Sequence, residues 1–300
     1  MTDADVTTPD VTATAAGDAR VVDLGFSHFE GERRGRLAAV AALARWSALR
    51  ALGARRPWTA KLVPVALVML AFGPALVVLG VKALVGNRVD EIPEILPYDG
   101  YYAVIGITVI VFVAMTTPEL VCPDRRDRVL DLYLATAVTP FEYVAGKFLA
   151  ALVPILCLTL VPQTTLFFGN AIFDDDAVGY VRDNIEILFQ IIVGGLLLGV
   201  YFSLLGLAVS SLTDRRTFAV GGLLGFFLVS TVIAGSLANL VSENLSVLAV
   251  ALAPIWLVTR IVSGDEEGPD ADTAWLVIQY AVVVGLSTLI LVSRYRRAAS

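Results

Sequence analysis

The chain has 300 residues, 57% of them hydrophobic, and a net charge of −6. A soluble globular domain holds about 45–50% apolar residues, so the excess points to a bilayer. The acidic balance, with no basic patch interleaved with aromatics, excludes a nucleic-acid partner. Cys122, Cys157 and His28 are the only thiols and imidazole. No CxxC motif or His/Cys cluster exists, so no metal or other cofactor is expected. Lysine occurs only at positions 61, 82 and 147, and Asp outnumbers Glu. That composition resembles proteins of salt-loving archaea, and a GC-rich genome is the alternative source of it.

Residues 1–32 are rich in Thr, Ala and Asp and have no apolar run. They read as a disordered cytoplasmic tail, without the basic and apolar regions of a signal peptide. Residues 33–61 are rich in Ala, Leu and Arg and end in Arg55-Arg56-Pro57-Trp58. Their helix propensity is high, and they predict a cytoplasmic or interfacial helix leading into the membrane.

A transmembrane domain then occupies 62–297. Its spans are predicted at 62–84, 101–121, 148–169, 187–212, 218–241 and 274–292. Each is close to the 20 or so apolar residues that cross a hydrocarbon core of about 30 Å. Trp58, Tyr101, Tyr102, Trp275 and Tyr295 sit at span ends, where amphipathic rings favour the headgroup level. With the N-terminus inside, eighteen basic residues fall on the inner side and four on the outer. The positive-inside bias therefore places both termini in the cytoplasm of a multi-pass cell-membrane protein. A seventh apolar stretch, 245–262, contains Pro254 and Arg260. A full crossing there would carry Arg294, Arg296 and Arg297 outside. It is expected to be an outer re-entrant or interfacial hairpin between the fifth and sixth spans. The fold class is thus an all-α integral membrane protein with six transmembrane helices.

The loop between the second and third spans has the most structure. At helical spacing Asp124, Asp127, Arg128 and Asp131 share one face, and Leu130, Tyr133, Leu134 and Ala137 share the other. This predicts an amphipathic helix over 124–134, its charged face toward the cytosol. Thr139-Pro140-Phe141-Glu142 reads as a capping box with proline at the first helical position. A new helix is expected to start there and to run through Lys147 into the third span.

Span interiors hold no Asp, Glu, Lys, Arg or His deep in the bilayer. Proton- or sodium-coupled carriers commonly keep one, because an intramembrane charge survives mainly for function. Gln163, Thr164, Thr165 and Gln190 are candidates for a substrate path, with simple interhelical bonding as the alternative.

The stretch from Pro118 to Ala150 resembles the corresponding loop of ABC-2-type transporter permeases. The likeness rests on Asp124-Arg125-Arg126-Asp127-Arg128, on Leu132-Tyr133-Leu134, and on Glu142-Tyr143-Val144-Ala145-Gly146-Lys147. Ala135-Thr136-Ala137-Val138 departs from the Ser/Ala-Arg-Pro step of many relatives. The resemblance implies a coupling helix between the second and third spans that docks on an ATP-binding cassette ATPase subunit through Asp124, Asp127, Arg128, Asp131 and Tyr133. Arg215 and Arg216, in Thr213–Thr217, would form a second contact, or else a plain basic turn. It also implies a permease homodimer or heterodimer. No G-x-x-x-x-G-K-[ST] motif occurs, since Phe141 and Phe148 stand at two of its required positions, so the ATPase is expected on another chain. A secondary carrier or channel, and a non-transporting scaffold, are the rival functions. A membrane enzyme lacks any visible catalytic set.

Overall fold

The computed structural model describes residues 35–54, 58–85, 96–127, 129, 139–264, 269 and 271–297. The tail 1–32 lies outside the described residues, and so do Arg128 and residues 130–138, which include Asp131 and Tyr133. Whether 124–134 forms the predicted helix therefore falls mostly outside them.

Every element among the described residues is helical. Helix α1 (Arg36–Ala51) is followed by α2 (Trp58–Val85) and α3 (Tyr98–Arg126). Next come α4 (Pro140–Thr159), α5 (Val161–Phe173), the short α6 (Ala177–Asp183), α7 (Ile185–Ser210) and α8 (Arg216–Leu240). A 3-10 turn (Glu243–Leu248) leads to α9 (Ala253–Ser263) and finally α10 (Thr273–Arg297). Six stretches are long and apolar enough to cross a membrane: Lys61–Leu84, Tyr98–Arg126, Pro140–Phe173, Ile185–Ser210, Arg216–Leu240 and Thr273–Arg297. The chain is an all-α protein with six membrane-spanning helices.

The third span is longer than its apolar run suggests, because it joins α4 to α5. Thr139 caps α4, accepting from the Glu142 N–H while Glu142 accepts from the Thr139 N–H. That reciprocal cap starts the helix eight residues before Phe148, as the sequence motif requires. A break at Leu160 separates α4 from α5. Pro162 stands in the first turn of α5, where its missing N–H removes no intrahelical bond.

Spans α3 and α7 form the centre of the bundle, with most of their apolar windows buried. Their contact depends on Gly206, where an added Cβ would stand 2.7 Å from Thr117 Cγ2. Spans α2, α8 and α10 lie at the periphery and bury only a small share of theirs. They present Met69, Leu70, Leu228, Val232, Leu286 and Leu289 outward, as a lipid-facing surface does.

Stretch 245–262 forms no straight crossing. The chain turns at 249–252, and Pro254 begins α9 instead of interrupting a longer helix. Ile255 and Val258 of α9 pack close to Gly106 and Gly194, in the first halves of α3 and α7. Gly264, at φ 73°, ends α9 in the left-handed conformation that costs glycine least. Arg260 is buried at this end, where it donates to the Pro269 and Ala271 carbonyls and to Thr273 Oγ1.

The bundle therefore has two chemically distinct ends. One gathers α1, the last turns of α3, α7 and α10, and the first turns of α4 and α8. It carries Arg50, Arg125, Arg126, Lys147, Arg215, Arg216, Arg294, Arg296 and Arg297. The other gathers α6, α9 and the start of α3, and carries Asp99, Asp174, Asp175, Asp176, Asp183 and Glu186.

Candidate functional site at the basic end

Asp124 lies in the last turn of α3 and is 1% exposed. Its Oδ1 accepts from Arg50 of α1 at 2.7 Å. Its Oδ2 meets Lys147 Nζ of α4 at 2.6 Å and accepts from the Tyr143 hydroxyl at 2.9 Å. Lys147 also donates to Ser47 Oγ of α1 at 2.9 Å. The Tyr143 ring stands 5.1 Å from that of Tyr295 in α10. One carboxylate thus ties α1, α3 and α4 together, and Tyr143 carries the contact to α10. A buried carboxylate is tolerated only with such partners, since an unpaired one loses its hydration uncompensated.

This placement corrects one expectation. Asp124 does not start a separate surface helix with its side chain toward solvent. The second span continues as α3 through Pro118 and Pro123 to Arg126, and Asp124 turns inward to two distant cations. Asp127 does face solvent. Arg126 hydrogen-bonds to it at 2.9 Å and holds its carboxyl below the usual carboxylate range.

A second cluster straps the turn after α7 onto α3. Glu119, 2% exposed, meets Arg216 Nη1 at 2.5 Å. Arg125 pairs with Asp214 at 2.9 Å and donates to the Ser211 carbonyl. Thr117 Oγ1 lies 3.2 Å from Ser210 Oγ, and Cys122 Sγ lies 3.5 Å from the Thr213 carbonyl. The last turns of α3 and the turn before α8 are brought side by side. Arg216 is half-exposed and turned onto Glu119, whereas Arg215 is exposed and lies over Phe218.

Sequence reasoning did not select Arg50, Ser47, Glu119, Tyr143 or Lys147 as site residues. Tyr143 and Lys147 stand in the segment that carries the family likeness, but nothing in their spacing showed a partner. Arg50 and Glu119 read as ordinary charges near span ends, where snorkelling to the headgroups is the usual reading.

The four substrate-path candidates are not brought together. Thr164 and Thr165 donate to carbonyls of their own turn, Leu160 and Val161. Gln190 is half-buried on α7. Gln163 is fully buried near the acidic end, its Nε2 donating to the Tyr98 carbonyl at 2.8 Å. Its neighbours form a polar chain from Lys82 to Asn170, to the Tyr98 hydroxyl and on to that of Tyr180. Gln163 Oε1 has no partner among the described residues. No group of three potential metal ligands occurs among the described residues.

A family model described as ABC-2 family transporter protein matches residues 81–289. The chain belongs to the ABC-2 transporter family. No curated protein matches it. As an ABC-2 family member it is a multi-pass membrane transport protein, and the family assignment agrees with its six spans. The matched region runs from the end of α2 through most of α10. It includes both ion clusters except their α1 partners, Ser47 and Arg50, which lie before it.

Proposed function

We propose that this chain is the membrane permease subunit of an ATP-driven exporter of the cell membrane, working as a homodimer or heterodimer with separate ATP-binding cassette subunits. The basic end is cytoplasmic in this reading, in accord with the positive-inside bias. The acidic, lysine-poor composition fits a salt-adapted archaeal source. Asp127, Arg128, Asp131, Tyr133 and Arg215 form the docking surface for the ATPase. Asp124 and Arg216 act behind it, as the groups that join that surface to the spans.

The observation that carries this reading is the double strap between the end of α3 and the start of α8, Glu119–Arg216 and Arg125–Asp214. A push on either loop reaches both α3 and α8, and through Asp124 it reaches α1 and α4 as well. Coupling of this kind needs a contiguous packed network, which these ion pairs supply. Gln163 and its polar neighbours lie toward the outer mouth in this arrangement.

The test is ATPase activity of the assembled complex with Asp127 and Asp131 both changed to lysine. Reversed charge should weaken docking and abolish substrate-stimulated hydrolysis while membrane abundance stays normal. Full stimulation in the double variant would refute docking through these residues. Stoichiometric ATP binding by the isolated chain would refute the division of labour.

A further inference from the structure

At the basic end a cavity of about 220 Å³ opens between the first turn of α4 and the last turns of α10. Thr139, Pro140, Phe141, Val144, Val292 and Arg296 line it. Phe141 is 70% exposed, although an aromatic ring at the mouth of a groove gains by being covered. The wall is apolar save for the Thr139 hydroxyl and the Arg296 guanidinium. Arg296 is exposed and makes no ion pair or hydrogen bond among the described residues. Glu142 stands in the same first turn of α4, and its Oε2 is turned onto the Thr139 N–H and hydroxyl at 2.7 and 2.9 Å. Arg294 and Arg297 stand beside Arg296 on the same last turn.

Apolar walls with the Arg296 guanidinium at the rim, at the end of two membrane spans, match one class of molecule. We propose that this groove holds an anionic phospholipid of the adjoining leaflet. The start of an acyl chain covers Phe141, Val144 and Val292, and the phosphate meets Arg296. Charge complementarity selects this occupant: the rim carries an unpaired guanidinium in a basic turn, and the Glu142 carboxylate of the facing first turn is engaged in a helix cap. A zwitterionic lipid would offer its ammonium to a rim with no unengaged carboxylate among the described residues. The lipid would bridge α4 and α10, which the Tyr143–Tyr295 ring contact already links.

The experiment is native mass spectrometry of the full chain released from mixed vesicles of phosphatidylglycerol and phosphatidylcholine. The wild type should retain phosphatidylglycerol preferentially, with at least one copy per chain. A basic residue at a membrane surface contributes enough that Arg296→Gln should lower the retained ratio about fivefold. Val292→Trp, which fills the groove without changing charge, should lower it as well. Arg182→Gln, at the opposite end of the bundle, should leave it unchanged. Wild-type ratios in both Arg296→Gln and Val292→Trp would overturn the proposal. So would an equal loss in Arg182→Gln, which would reduce the preference to net charge. Displacement of the lipid by an ATP-binding subunit that crosslinks to Phe141 would assign the groove to that protein and overturn it too.

Discussion

Lys147 and Asp124 meet at 2.6 Å across the junction of α4 and α3, with side chains 3% and 1% exposed. The contact lies just inside the basic end of the bundle, yet both groups are withdrawn from water. Breaking a buried pair by removing one member leaves the other charge uncompensated, at a cost of about 3–5 kcal/mol. Asp124→Asn should therefore lower the unfolding temperature of the purified chain sharply, because it leaves Lys147 buried without a carboxylate. Lys147→Met should do so less, because Asp124 keeps Arg50 and Tyr143 as partners. In the double variant the two losses should not add, since no fully buried lone charge remains. Strict additivity in that cycle would show that the pair does not act as a unit.

Glu119 and Arg216 hold the turn after α7 against α3. Cys122 is buried beneath that turn, within reach of the Ser210 and Thr213 carbonyls, and so reports on its closure. In a Cys157→Ser background, Glu119→Gln should raise the rate at which a maleimide modifies Cys122 by about tenfold. That matches a charge-assisted contact of roughly 1.5 kcal/mol. An unchanged rate would mean that the Arg125–Asp214 pair closes the turn alone.

Thr139 and Glu142 each satisfy a backbone donor that the start of α4 leaves open. Thr139→Ala should cost about 1 kcal/mol of helix stability. Hydrogen exchange over residues 140–146 should quicken, while the centre of α3 remains protected. Equal quickening in both would indicate global unfolding.

Asp175 and Arg216 lie at opposite ends of the bundle. A single cysteine at Asp175 should react with an impermeant thiol reagent applied to whole cells. One at Arg216 should react only after the membrane is opened. The reverse pattern would invert the proposed orientation and place the ion clusters outside.

The number and approximate place of the spans follow from the sequence, because crossing a hydrocarbon layer demands about 20 apolar residues in a row. Those runs are local and uninterrupted. The cap at Thr139 is equally local, since both of its hydrogen bonds form within four residues. The failure of 245–262 to cross was legible from charge balance and proline. Where it bends was not, because the packing of Ile255 and Val258 near Gly106 and Gly194 sets the position of α9. The burial of Asp124 was hidden for a related reason. Helical periodicity placed it on a charged face with Asp127, and no rule of spacing brings Arg50, 74 residues away, to that carboxylate. Local sequence decides whether a residue can enter a helix and a membrane. Tertiary structure alone decides which charges meet, because a buried ion pair forms wherever packing brings opposite groups together, whatever their separation along the chain.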